Sequence, residues 1–374
     1  MSSEDLRGHV RLACVPGIGS HLRRRLLERF GTPEAVFAAS HVELASVDGI
    51  GRKLAAGLAT CADATTADDV IALCRKRSVD ILAEGRDGYP PLLSRIDDPP
   101  GLLFVRGSLL PQDALSVAIV GARHATAYGL KVAEQLGAGL ARAGYTVVSG
   151  LARGIDAAAH RGAMQAGGRT IAVLGSGVLN VYPPEHADLA REIIDSGALI
   201  SELPPLTAPH AGTFPQRNRI VSGLSLGVVV VQAADRSGAL ITARLATEQG
   251  REVFAVPGPI DCRMSRGCHQ LIRDGAKLVA NVDDILEEFG PLFETATTGD
   301  GRAVKSPAEL QLGDVERRVL DACDALAGGG TATVNIDDLV DSSGLAASQV
   351  LATVGVLEMR RLIRRLPGNQ IARA

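Results

Sequence analysis

SVAIVGARHATAYGLKVAEQLGAGLARAG, residues 116–144, decides the fold. Its first part, Ser116 to Val120, is an apolar, β-branched run that ends at Gly121. Its second part, Ala127 to Gly144, repeats apolar residues at helical spacing. A strand without polar alternation is buried on both faces, and strands alternating with helices belong to a parallel sheet. The pattern then recurs. YTVVSG (145–150) precedes GIDAAAHRGAMQAGG (154–168), and RTIAVLG (169–175) and GALISE (197–202) are further strands. SLGVVVVQA (225–233), ITARLATEQG (241–250) and REVFAVPG (251–258) continue the series. The expected core is an α/β, Rossmann-like doubly wound parallel sheet over 114–290.

Outward from this core the character changes. VPGIG (15–19) is echoed by VDGIG (47–51), each followed by an apolar helical stretch. A Gly-hydrophobic-Gly turn between helices is the helix-hairpin-helix, or SAM-like, pattern, and the second helix's free N–H groups can meet a phosphate. Residues 1–62 are read as this helical module, equally suited to spacing, partner docking or clamping DNA. Residues 63–113 are a Pro-rich connecting segment with one apolar strand, Leu102 to Val105, that packs on the core. A polar Gly/Ser/Thr/Pro linker fills 291–312. Residues 313–374 read as three helices and a terminal hairpin, a helix-turn-helix with a wing.

The totals limit function. The chain has 374 residues, a net charge of −3, 46% apolar residues, 3% aromatics and no Trp. Near-neutral charge argues against coating a polyanion with the whole surface, and leaves room for a local basic pocket. Cysteines form no CxxC pair, and Cys262, Cys268 and His269 read as a reduced loop cysteine and structural neighbours, so no metal is expected. No apolar run is long enough for a bilayer and the N-terminus has no signal-peptide core, so a cytoplasmic protein without membrane partners is expected.

In open parallel sheets ligands bind beyond the carboxyl ends of the strands. After the first strand come Gly121, Ala122 and Arg123. After the second come Ser149, Gly150, Leu151, Ala152, Arg153 and Gly154. FPQRNR (214–219) enters the same rim with Arg217, Asn218 and Arg219, and Arg236, Ser237 and Gly238 follow the 227–231 run. Glycines and helix N-termini offer N–H groups to anions, and arginine adds a planar fork for phosphate. The expected ligand bears phosphate. Residues two apart on a helix do not share a face, so either Arg217 or Arg219 instead pairs with an acid such as Asp156 or Glu202. Asp156 and His160 lie at helical i, i+4 spacing and tie the helix start together rather than act as a catalytic pair. GARHATAYG lacks the dinucleotide fingerprint and there is no GxxxxGK[ST] loop, so no nucleotide cofactor is expected.

SVAIVGAR, SGLARGIDAAAH, TIAVLGSGVLNVYPPEH, ISELPP, FPQRNRIVSGLS, SGALITA, FAVPG and GCHQLIRDGAKLV, in this order, resemble the DNA-processing protein A family (DprA/Smf). The resemblance spans about 90–288. It implies a non-enzymatic recombination mediator of natural transformation. Such a protein binds and protects incoming single-stranded DNA, loads the RecA recombinase, relieves inhibition by single-strand binding protein, and works as a homodimer. By match to the family's basic pocket, Arg123 is the first expected DNA contact, followed by residues 149–154, Arg217–Arg219 and Arg236. Tyr128, Phe214 and Tyr182 are the aromatics available for stacking. The resemblance also implies self-association through GCHQLIRDGAKLV, with His269, Ile272 and Leu278 as interface residues. The basic terminus, with Arg360, Arg361, Arg364 and Arg365, sits beside acidic NIDDLVDSS, and strong duplex binding is not expected there. The alternative is an enzyme, a nucleoside-monophosphate phosphoribohydrolase. Its PGGxGTxxE signature is displaced here by RSGALITARLATE, in which Glu248 lies too far along.

Overall fold

The computed structural model describes residues 3–60, 65–289, 308–309, 312–327, 333–360 and 362–373. Five helices open the chain: α1 (Ser3–Ala13), α2 (Ser20–Phe30), α3 (Pro33–Ala38), α4 (His41–Ala45) and α5 (Arg52–Thr60). The two glycine turns lie between α1 and α2 and between α4 and α5. Gly17 and Gly49 take φ of 86° and 87° there, a left-handed conformation that glycine adopts without a Cβ clash. Leu12, Leu26, Leu44, Ile50 and Leu58 form the module's own core.

After α6 (Thr65–Lys76) come β1 (Val79–Ala83) and β2 (Leu102–Gly107). The alternating core follows: β3 (Ser116–Val120), α7 (Ala127–Arg142), β4 (Thr146–Ser149), α8 (Ile155–Gln165), β5 (Thr170–Val173), α9 (Ala187–Ser196) and β6 (Ala198–Ser201). It continues through α10 (Thr213–Leu224), β7 (Gly227–Val230), α11 (Gly238–Glu248), β8 (Glu252–Ala255), α12 (Arg266–Arg273), β9 (Lys277–Leu278) and α13 (Asp283–Phe289). One nine-stranded sheet runs β1-β2-β6-β5-β4-β3-β7-β8-β9. From β6 to β9 neighbours are parallel, while β1 and β2 extend the sheet antiparallel, with Phe104 opposite Ser201. The segment read as a connection therefore contributes two strands to the core sheet, one of them unforeseen.

The strand order places the reversal at β3. The chain steps from β3 through β4 and β5 to β6, then returns to β7 on the other side. Alternate residues of each strand bury on opposite faces. Ala118, Val120, Val228 and Val230 pack against α10 and α11 through Ile220, Leu224 and Ala243. Val117, Ile119, Val229 and Phe254 face α7, α8 and α13. Phe254 meets Phe289 edge-on with ring centroids 5.6 Å apart. A buried glutamine closes the switch point. Gln232 Nε2 donates to Thr126 Oγ1 and its Oε1 accepts from the Thr126 amide, both at 2.9 Å, fastening β7 to the start of α7.

The C-terminal unit holds α14 (Asp314–Leu326), β10 (Val334–Asn335), α15 (Ile336–Ser343), α16 (Ala347–Met359), β11 (Ile363–Leu366) and β12 (Gln370–Arg373). Its sheet runs β10-β12-β11, and Gly344 turns α15 into α16 at φ 63°, a winged helix. Of the terminal arginines, Arg360 pairs with Glu316 at 3.4 Å and Arg365 with Glu358 at 3.3 Å, while Arg364 is exposed. Arg361 and most of the 291–312 linker lie outside the described residues. No single helix among the described residues is long and apolar enough to cross a membrane.

Candidate functional site

A cleft of about 760 Å³ opens at the switch point, where the loops after β3, β4 and β7 meet the starts of α8, α10 and α11. Gly121, Ala122, Arg123 and His124 form one wall. Ser237 and Gly238, with Thr242 one turn on, form the opposite wall. Ser237 caps α11, its hydroxyl accepting from the Ala239 amide at 3.3 Å. The positive end of an 11-residue helix thus faces the cleft.

Two arginines serve the cleft differently. Arg123 is exposed, makes no ion pair among the described residues, and its guanidinium carbon lies 5.6 Å from the Phe214 ring centroid. Phe214 in turn pairs with Tyr182, centroids 5.6 Å apart, and both rings line the cleft. Arg217 is 7% exposed and forms the buried side. Its Nη1 donates to the Val173 carbonyl at 2.5 Å, while its Nε is buried with no partner among the described residues. Burial holds its pKa below the usual arginine range, and Asp156 acts against that.

Close approach explains two glycines. A Cβ at Gly150 would lie 1.9 Å from Arg217 Nη1, so the guanidinium occupies the space a side chain would need. Gly154 sits at φ 77°, and a Cβ there would meet the Ala122 carbonyl at 2.3 Å. The loop after β4 can pass under the loop after β3 only with glycine at that position. Asp156 fixes the same loop from inside, accepting the Gly150 and Ala152 amides at 3.1 and 3.3 Å. Burial pushes its carboxyl up, and Arg217 and these two amides pull it back.

His160 is fully buried and does not reach Asp156. Thr170's hydroxyl donates to the Val147 carbonyl at 2.7 Å, so it must accept from His160 Nδ1, also at 2.7 Å. The imidazole therefore carries its proton on Nδ1, and burial drives its pKa down to about 3. It ties α8 to β5. Only the Asp156 half of the expected pair braces the rim.

Other expected residues are placed elsewhere. Arg219 does not line the cleft and is withdrawn from the site. Its Nη2 donates to Glu202 at 2.5 Å and its Nε to Asp98 at 3.0 Å, on the side of α10 facing the N-terminal module. Arg153 pairs with Glu185 outside the cleft lining. Arg236 is exposed beyond the lining residues. Ser149 is buried, donating to the Ile119 carbonyl at 2.6 Å, and Leu151 is a core residue, so neither presents its side chain to the cleft. Asn218 lines the cleft and donates to the Gly238 carbonyl at 3.3 Å. Tyr128 lies apart, its hydroxyl donating to the Pro257 carbonyl at 2.9 Å. Thr242 and Gln232 were not anticipated. Each had a signal: Thr242 stands one turn after Gly238, and Gln232 interrupts an apolar run.

At the sheet edge, Leu278 is 46% exposed on β9. His269 turns inward to the Gly258 carbonyl at 2.9 Å, and Ile272 is half-buried against the core. Cys268 is buried behind them, its thiol pushed up to about 12 by burial. Among the described residues no group of three or more His, Cys, Asp or Glu side chains could hold a metal. Glu248 pairs with Arg244 at 3.5 Å and does not line the cleft.

Comparison with known proteins converges on one family. Residues 80–290 match the family described as DNA recombination-mediator protein A, 303–369 the DprA winged helix domain, and 11–62 a SAM-like helix-hairpin-helix tandem. Protein Smf of Escherichia coli (strain K12) is 41% identical over 284 residues, 76% of this chain and 74% of that protein. The X-ray structure of DNA processing protein A from Streptococcus pneumoniae superposes with a TM-score of 0.64 at 36% identity, over 75% of this chain and 95% of that one. DNA processing protein A from Helicobacter pylori, whose structure was described for its single-stranded DNA binding mode, gives 0.51 at 30% identity, over 56% and 95%. The chain belongs to the DNA recombination-mediator protein A family.

Proposed function

We propose that the switch-point cleft binds the sugar-phosphate backbone of single-stranded DNA, and that the chain is a recombination mediator. In natural transformation it protects an incoming strand, relieves inhibition by single-strand binding protein and loads RecA, without breaking bonds. It acts as a homodimer joined at the β9 edge. The observation that carries this reading is Arg123: an exposed guanidinium, free of ion pairs among the described residues, standing over Phe214 at the cleft mouth.

The physics supports a polymer ligand. Single strands are held by positive charge along the backbone and by stacking on aromatic faces, worth about 1–3 kcal/mol per base. Arg123 and the α11 N-terminus offer the charge, while Phe214 and Tyr182 offer the faces. With so few aromatics, and with Asn218 the one side-chain amide among the described lining residues, sequence preference should be weak. The single-stranded DNA binding described for the Helicobacter pylori protein supports the same ligand class. Asp156 is the one carboxylate among the described lining residues, and two backbone amides occupy its Oδ2.

Thermal shift separates the polymer from a small nucleotide. Oligo(dT) should raise Tm appreciably, and AMP and ATP at matched nucleotide concentration should not. Stabilisation by AMP equal to that by oligo(dT), or release of base from it, would favour a nucleotide-binding enzyme instead.

A further inference from the structure

We propose that the loop joining β8 to α12, residues 257–265, is a second contact for single-stranded DNA, holding the stretch of strand that leaves the cleft. This rests on the cleft reading above and extends its footprint to Arg263 and Tyr128.

The topology puts this loop beside the cleft. β3, β7 and β8 are parallel neighbours, so their carboxyl ends stand side by side about 5 Å apart. The loops after β3 and β7 wall the cleft, and the loop after β8 is the next one along the rim. Met264 joins the two: it lines the cleft, and its carbonyl accepts from the Ala233 amide at 2.7 Å, just past the end of β7. A polymer that fills the cleft and continues toward β9 meets this loop first.

The loop is pinned from inside and open outside. The Pro259 carbonyl accepts from the Cys262 amide at 3.1 Å, closing a turn whose tip, Ile260, is 90% exposed. His269 Nε2 donates to the Gly258 carbonyl and the Tyr128 hydroxyl to the Pro257 carbonyl, both at 2.9 Å. Helices α12 and α7 thus hold the loop from two sides, and a contact already ordered loses less entropy on binding. Tyr128 is held at its hydroxyl and otherwise exposed. Arg263 follows the turn, exposed and without an ion pair among the described residues, as is Arg236 on the neighbouring loop. Arg266 differs, because Asp235 approaches it at 3.9 Å. Asp261 is also exposed and makes no ion pair with Arg263, so the loop is not uniformly basic. What it offers is a free guanidinium and an open ring, the combination that takes a phosphate and a base face of an unpaired strand.

The test compares oligo(dT) of about 6 and about 16 nucleotides, within the range of site sizes for such grooves, on the full-length chain. Arg263→Ala should weaken the longer strand about fivefold and make its salt slope shallower by about 0.7, one phosphate, while changing the shorter strand less than twofold. Tyr128→Ala should weaken the longer strand on the order of fivefold with its slope unchanged, since a stacked ring releases no counterion. Arg191→Ala removes the same charge from exposed α9 and should alter neither strand more than twofold. Unchanged binding of the longer strand by either the Arg263 or the Tyr128 variant would overturn the proposal. Equal weakening of both lengths by Arg263→Ala, or an Arg191→Ala effect of the same size, would also overturn it. Arg123→Ala, measured alongside, keeps the two readings apart: if it leaves both lengths unchanged the cleft reading fails, and if it weakens both while Arg263→Ala weakens neither, only this extension fails.

Discussion

Arg217, Asn218 and Arg219 are consecutive yet point to three different neighbours, because each helical step turns the side chain by about 100°. Arg217 reaches the Val173 carbonyl under the cleft, Asn218 the start of α11, and Arg219 the carboxylates beside the N-terminal module. The sequence made clear that two arginines two apart diverge. Which one faces the cleft depended on Asp98 and Glu202, residues distant in the chain, and was not legible. Arg153 is similar, since its partner Glu185 lies on another loop. Gly150 gives a residue-level test. Gly150→Ala places a methyl on the Arg217 guanidinium, and overpacking of this kind costs about 1–3 kcal/mol. Tm should fall by several degrees, and single-strand affinity should fall with it although Gly150 offers no side chain to a ligand. His160 gives a pH test. Its folded pKa, about 3, lies below the ordinary imidazole value of 6.5, so the unfolded chain binds the proton first. Stability from this group is complete above pH 6.5 and is lost as pH falls toward 3. Between pH 7 and pH 5 the native chain should lose on the order of 2 kcal/mol more than His160→Gln in urea unfolding. Parallel losses would show that the imidazole is not held neutral.

Elements carry the next level. The six strands from β3 to β8 were legible because their apolar, mostly β-branched runs alternate with helices, and Val117 to Val120 and Val228 to Val231 bury on both faces as that requires. β1 was not, because Asp80 interrupts VDILA and its partner β2 begins about 20 residues on. β9 has only two residues and leaves too short a pattern to read. It is nonetheless the end of the sheet, and an uncovered edge strand presents unpaired N–H and C=O groups to a partner. Leu278 stands exposed there, whereas Ile272 packs on the core. Leu278→Glu therefore tests the edge with little cost to the fold. We predict a monomer in sedimentation with an unchanged Tm; a dimer that survives would move the interface elsewhere. The winged helix shows the opposite balance. α16, ASQVLATVGVLEM, has no Lys or Arg, and two of the terminal arginines are held by glutamates. A helix built to read a groove would present positive charge to phosphates, and α16 carries none.

For the whole molecule, the sheet order explains why one cleft gathers loops from so many parts of the chain. The reversal at β3 separates the loops after β3 and β7, and α8, α10 and α11 all begin at the gap. The fold class and the rim were legible because both follow from strand order and glycine placement. The N-terminal junction was not, since it depends on Asp98 meeting Ser20 across 78 residues. The central claim is that an exposed guanidinium at this rim grips the backbone of unpaired DNA. The most direct measurement is the affinity for oligo(dT) across a salt titration, for the native chain and Arg123→Ala. With about three or four phosphates neutralised, log affinity should fall against log salt with a slope of roughly −2 to −3. Arg123→Ala should bind about tenfold more weakly, the loss of one charge-assisted contact of about 1.5 kcal/mol, and its slope should be shallower by about 0.7. Identical affinities and slopes for the two chains would contradict the account.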